Sequence, residues 1–73
     1  MTFEFETVEC AAFINGRECD DIVTYSPTGA EIHLYIDRYT RELLLAQRLD
    51  GEWTDIPLKE AERDFAAVLY AAR

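Results

Sequence analysis

The chain is poor in the residues that usually announce a chemistry. It carries one histidine (His33), one serine (Ser26), two cysteines, three glycines and two prolines in 73 residues. A lone serine placed before a turn proline and a lone histidine leave little from which to build a nucleophile and its base. Cys10 and His33 are expected on opposite faces of the sheet, so they do not form a dyad. Two cysteines are too few for a disulfide framework or a structural zinc set, and Cys10 and Cys19 read as reduced thiols in a cytoplasm. Asp20-Asp21 lacks the alternating oxygen ligands and the glycine of a calcium loop. No glycine-rich phosphate loop is present. No apolar run approaches the ~20 residues that span a bilayer, and Met1-Thr2-Phe3-Glu4 lacks the basic start of a secretory signal. These absences predict a non-enzymatic cytoplasmic protein with no cofactor and no metal.

Basic residues are also scarce. Seven Lys and Arg face fifteen Asp and Glu, for a net charge of −8 and a pI near 4.4. A phosphate backbone or an anionic membrane repels such a surface, so neither nucleic acid nor lipid is an expected direct partner. A basic protein surface is the natural complement. The imbalance is lopsided: up to Asp37 there are eight acids against Arg17 alone, and from Arg38 onward seven acids against six bases.

What is present is the composition of a folded domain, 49% hydrophobic and 30% charged, short enough to be one domain spanning 1–73. Asn15-Gly16, Ser26-Pro27-Thr28-Gly29, Asp37 to Glu42 and Asp50-Gly51 recur at intervals of about ten residues between β-branched and aromatic runs, which predicts an antiparallel meander. Asn15-Gly16 and Asp50-Gly51 suit two-residue turns, and Ser26 to Gly29 a type I turn. In the Asp37–Glu42 loop the Asp and Thr side chains are placed to bond backbone, with Arg41 left-handed. This loop resembles that of the second hairpin in the immunoglobulin-binding domain of protein G.

These turns predict a register that sets Val8 opposite Val23, Ala12 opposite Cys19, Val23 opposite Ile32, Leu34 opposite Leu45, Ile36 opposite Leu43 and Arg48 opposite Trp53, and the register predicts faces. One face collects Val23, Tyr25, Ile32, Leu34, Ile36, Leu43, Leu45 and Ile56 as the core. The other collects Thr24, Glu31, His33, Tyr35, Leu44, Ala46, Arg48 and Trp53. Phe3 and Phe5 are out of phase with Val8, Cys10, Ala12 and Ile14, which calls for a bulge near Glu6-Thr7. Pro57 opens a helix whose stripe Leu58, Ala61, Phe65, Val68, Leu69 and Ala72 covers the core. The expected fold class is α+β: an antiparallel meander of four or five strands with one C-terminal α-helix packed on one face.

Three surfaces are candidates for binding a partner. An acidic one around the first hairpin holds Glu9, Glu18, Asp20, Asp21 and Glu31. It reads either as a mimic of nucleic-acid phosphates, engaging a basic groove, or as a solvated edge whose charges block aggregation. The bare sheet face presents His33, Tyr35, Leu44, Arg48 and Trp53, with exposed aromatics beside Arg being the residue types common at interface hot spots; Trp53 over Arg48 reads instead as a local cation–π pair with no partner. The outer helix face presents Tyr70 between Ala67 and Ala71.

No sequence motif carries these features, but the overall profile resembles that of small acidic phage and mobile-element proteins that disable host defences, the anti-CRISPR proteins among them. The resemblance is one of class. It implies a stoichiometric inhibitor that binds a basic, nucleic-acid-handling surface of a host complex such as a CRISPR effector. The alternative is a small homodimeric accessory or regulatory domain that self-associates through its bare sheet face.

Overall fold

The structure is a computed structural model and describes residues 4–73. Among these, five strands and two short helices follow in chain order: β1 Glu6–Ile14, β2 Arg17–Tyr25, β3 Glu31–Asp37, β4 Leu43–Leu49, β5 Trp53–Asp55, α1 Leu58–Asp64 and α2 Ala66–Ala72. The strands pair antiparallel in the order β1-β2-β3-β4-β5, the α+β meander that the turn spacing predicts. No described helix is long and apolar enough to cross a membrane.

Two turns form as their residues dictate. Asn15 and Gly16 both take positive φ, 53° and 75°, as a two-residue type I′ turn requires. Arg41 takes the left-handed conformation at φ 66°. The loop that holds it is closed by the Asp37 and Arg41 amides, which donate to the Glu42 and Asp37 carbonyls at 2.8 and 2.9 Å. Asp37 Oδ1 accepts from the Tyr39 and Thr40 amides at 2.7 and 2.8 Å, and Thr40 Oγ1 accepts from the Glu42 amide at 3.3 Å.

Elsewhere one extra residue shifts the register. Gly29, at φ 90°, closes the Ser26 turn and lengthens the connection, so Val23 lies opposite His33 and Thr24 opposite Ile32. The expected pairing of Val23 with Ile32 fails, and β2 turns over: Ile22 and Thr24, not Val23 and Tyr25, face the core. A bulge between Ile36↔Leu43 and Tyr35↔Leu45 leaves Leu44 unpaired and brings Ala46, not Leu45, to the core side. At the last hairpin Leu49 rather than Arg48 pairs with Trp53, because the loop takes in Glu52. The β1 irregularity is not at Glu6-Thr7 but between Val8 and Ala12, where Cys10 takes φ 54°. The expected Val8–Val23 pair therefore becomes Val8–Asp21, while Ala12–Cys19 forms as expected. Phe3 lies outside the described residues.

The core is Ile22, Ile32, Leu34, Ile36, Leu43, Ala46 and Ile56 under Ala61, Phe65, Val68 and Leu69, with Phe5 and Ala72 packed at its edge. Burying each of the larger aliphatic side chains contributes roughly 1.5–3 kcal/mol. The single expected helix is two, bent at Phe65 (φ −117°, ψ 25°). Amide hydrogen bonds from Phe65 to the Ala61 carbonyl and from Leu69 to the Phe65 carbonyl, both 2.9 Å, meet at the bend from either side. The stripe can thereby follow a twisted sheet instead of leaving it along a straight axis. Leu58, expected in the stripe, is largely exposed.

Candidate functional site

Both helices lie on one side of the sheet, so the other side is shielded only by its own side chains among the described residues. Strand pairing arranges that side in rows. One row runs Tyr25, Glu31, Leu49, Trp53; the next Glu6, Val23, His33, Gln47, Asp55; the third Val8, Asp21, Tyr35, Leu45. The formally charged side chains in these rows are Glu6, Asp21, Glu31 and Asp55, all acidic. Arg17 lies on this side beyond them, bonded to Asp37 at 2.7 Å and Glu42 at 3.0 Å.

His33 sits at the centre. Its Nδ1 is 2.7 Å from Asp21 Oδ2 and its Nε2 is 3.0 Å from Glu31 Oε1. Trp53 packs against the imidazole with ring centroids 4.9 Å apart and planes tilted 58°, and Tyr35 stacks on it at 6.3 Å. Trp53 remains 52% exposed, so the indole covers the histidine and still faces solvent. Asp21 Oδ1 is buried without a hydrogen-bond partner. Burial pushes the Asp21 carboxyl above its ordinary range, and the hydrogen bond and charge of His33 pull it the other way. Burial, then the Asp21 charge, likewise raises the Tyr35 hydroxyl.

The chemistry open to this group is limited. An Asp–His pair is the orienting half of a nucleophilic triad, but the position of the nucleophile at Nε2 is held by Glu31, a carboxylate. The two carboxylates approach the ring at its two nitrogens, so they bracket an imidazole rather than converge on a point.

The acidic hairpin comes apart as a surface. Asp20 and Asp21 are only 4% and 8% exposed and point to opposite faces. Asp20 accepts the Cys10 amide at 3.0 Å and Arg41 at 3.2 Å, with Arg38 at 3.7 Å. Arg41 also donates to the Ala72 carbonyl at 3.0 Å, tying sheet, loop and helix end together. The expectation that both aspartates are free surface charges is therefore corrected: adjacent residues on a central strand point inward on alternate faces, and each finds a cationic or imidazole partner. Glu9 and Glu18 stay near Arg38 and Tyr39, Glu9 at 3.9 Å from Arg38 and Glu18 accepting from the Tyr39 hydroxyl at 3.1 Å. Bonds from Cys10 and Tyr39 hold the Glu18 carboxyl below its ordinary range. Cys10, expected to face the core, is exposed, and Cys19 is buried. The Arg38 guanidinium contacts the Cys10 thiol.

Of the bare-face residues, Tyr35, Trp53 and Glu31 come together as one group around His33. Arg48 does not: it pairs with Ile32 and Thr54 on the helix side, where its charge adds to the Arg63 hydrogen bond that chiefly lowers the Asp64 carboxyl. The Leu44 bulge is the cause. Tyr70 faces solvent at 89% exposure, apart from this group. Glu6 and Asp55 are members of this face to which the sequence does not point. The signal is partial: Glu31 and His33, and likewise Trp53 and Asp55, are two apart on one strand and must share a face, but Asp21 joins them only in the observed register. Compared with known protein families, curated proteins and solved structures, the chain matches none.

Proposed function

We propose that this protein is a non-enzymatic binding protein whose helix-free sheet face docks on a basic protein surface. Such surfaces hold phosphate backbones in nucleic-acid-handling complexes, and occupying one makes the protein an inhibitor of the complex, a CRISPR or other defence effector being the class of target. The observation that carries this reading is the composition of the face. A half-exposed Trp53 stands among Glu6, Glu31 and Asp55, with the formally cationic Arg17 already engaged by Asp37 and Glu42. An aromatic anchor inside a ring of one charge is the arrangement that binds Arg and Lys side chains, through cation–π contact and charge-assisted hydrogen bonds. The same charge opposes self-association, because a second copy brings the same carboxylates to the interface.

The test uses the whole chain as bait in a bacterial extract, beside a Trp53→Ala bait, at low and at ~0.5 M salt. The expected result is a basic protein captured at low salt by the wild type and lost both with salt and with Trp53→Ala. Capture unaffected by either change overturns the reading. Light scattering that gives twice the monomer mass at all salt concentrations favours the homodimer instead.

A further inference from the structure

The hydrogen-bond count around His33 carries an inference of its own. A neutral imidazole has one N–H and one lone pair, and an ionised carboxylate only accepts. Asp21 at Nδ1 and Glu31 at Nε2, 2.7 and 3.0 Å away, thus need two hydrogens between them where a neutral ring supplies one. The arrangement closes only with one added proton, placed on the ring or on a carboxyl. The three side chains then total −1 instead of −2.

We propose that Asp21, His33 and Glu31 form a proton-controlled switch in the docking face, in which losing this proton to solvent releases Glu31 from His33. When the proton leaves, one of the two contacts becomes a lone pair against a carboxylate and must open. Asp21 has no alternative, because its Oδ1 is buried without a partner, so it retains the remaining ring hydrogen on Nδ1. Glu31 is far more accessible, its side chain 40% exposed against 11% for Asp21, and can turn to water. The charged and titratable groups facing the ring are consistent with this choice. Asp21 comes from β2, Glu31 and Tyr35 from β3, with Gln47 of β4, Asp55 of β5 and Glu6 of β1 in the same row. Gln47 Nε2 already donates to Asp55 Oδ1 at 3.1 Å, and burial keeps the Tyr35 hydroxyl protonated. Trp53 lies on the imidazole and is loosened or held with it.

For a basic partner the sign is definite. Release adds one negative charge and a free carboxylate to the face, so binding strengthens as pH rises through the transition and weakens on acidification. This consequence rests on the docking role proposed above; the proton switch does not.

The chain has one tryptophan and one histidine, and they are in contact, so Trp53 emission reports the ring directly. The experiment follows Trp53 fluorescence and His33 nitrogen chemical shifts of the full chain over about pH 5 to 9, with circular dichroism confirming the fold. One step in emission is expected, coincident with the His33 shifts, and ending at high pH in the Nδ1–H tautomer. His33→Gln should abolish the step. Glu31→Gln should move it to lower pH, because an amide N–H can donate to Nε2 of a neutral ring and no added proton is needed. Flat emission in a folded protein, an Nε2–H tautomer at high pH, or an unmoved step in Glu31→Gln overturns the switch. A second arm titrates an oligo-arginine peptide, which does not itself lose protons in this range. Binding severalfold tighter above the step than below it, and pH-independent in His33→Gln, supports the coupling. A normal emission step with pH-independent peptide binding leaves the switch standing and overturns its link to docking.

Discussion

The two faces of this sheet are built to different rules. The helix-side face is apolar and closed: Ile22, Ile32, Leu34 and Ile36 are fully buried beneath Ala61, Phe65, Val68 and Leu69. Its one embedded charge, Asp20, is answered by Arg41 and the Cys10 amide. The other face spends its centre on an imidazole bracketed by carboxylates, leaves a buried carboxylate oxygen unpartnered and exposes half of its only tryptophan. A sheet needs one apolar face to fold. The second face contributes less to stability than an apolar one of the same area would, and the proposed docking role would give that composition a use.

The largest test of this contrast is on the closed side. Leu34→Ala, at the centre of β3 with no exposed surface, should cost about 2–5 kcal/mol in denaturant unfolding. A cost below about 1 kcal/mol would mean the core lies elsewhere. Next comes Asp20→Ala, which strands Arg41 and the Cys10 amide and should cost about 1–3 kcal/mol. A neutral outcome would return Asp20 to the solvated surface that the sequence suggested.

Asp37 sharpens the comparison through pH. Amide hydrogen bonds from Thr40 and Tyr39, with Arg17 beside them, hold its carboxyl at about 2 against an ordinary 3.8. A depressed carboxyl binds protons more weakly in the folded state than in the unfolded one. Its stabilising contribution is complete above the ordinary value and is lost as pH falls from about 4 toward about 2. Asp21 has the opposite sign: burial raises its carboxyl, so its contribution is greatest at low pH and declines as pH rises through the raised value. Unfolding midpoints measured across acid pH for Asp37→Asn and wild type should converge at the acid end. Parallel curves would show that the loop does not depend on this charge. The smallest effect belongs to Tyr70→Ala, on a side chain 89% exposed, which should change stability by no more than about 0.5 kcal/mol and leave binding through the sheet face intact.

Much of the fold is legible in the sequence because turns act locally. Asn15-Gly16 and the Asp37–Glu42 loop, with Arg41 left-handed, need nothing beyond their own residues. Register is less legible, because Gly29 and Gly51 each tolerate a connection one residue longer than the shortest, and the choice depends on how β2 and β4 pack. Trp53 shows how such shifts combine. Its place on the helix-free face agrees with expectation, yet the Leu44 bulge and the longer last loop each move the register by one and cancel there. Arg48, which feels the first shift only, ends on the opposite side. Asp20 and Asp21 look like surface charge in sequence because their partners, Arg41 and His33, are distant along the chain. A charged pair in the middle of a strand between Cys19 and Ile22 is nonetheless a signal that both side chains have partners. The bend at Phe65 leaves no mark in the spacing of the stripe, since the bonds that meet there from either side keep the i, i+4 step.

The central claim is that the helix-free face serves a partner rather than the fold. Its most direct test is Trp53→Ala, with unfolding free energy and partner affinity measured on the same preparation. The account predicts a stability loss of no more than about 1.5 kcal/mol, since half of the indole already faces water, with an affinity loss of at least about thirtyfold, the effect of truncating a hot-spot tryptophan. A loss of about 3 kcal/mol in stability with affinity unchanged would contradict it, and would make Trp53 a second core residue.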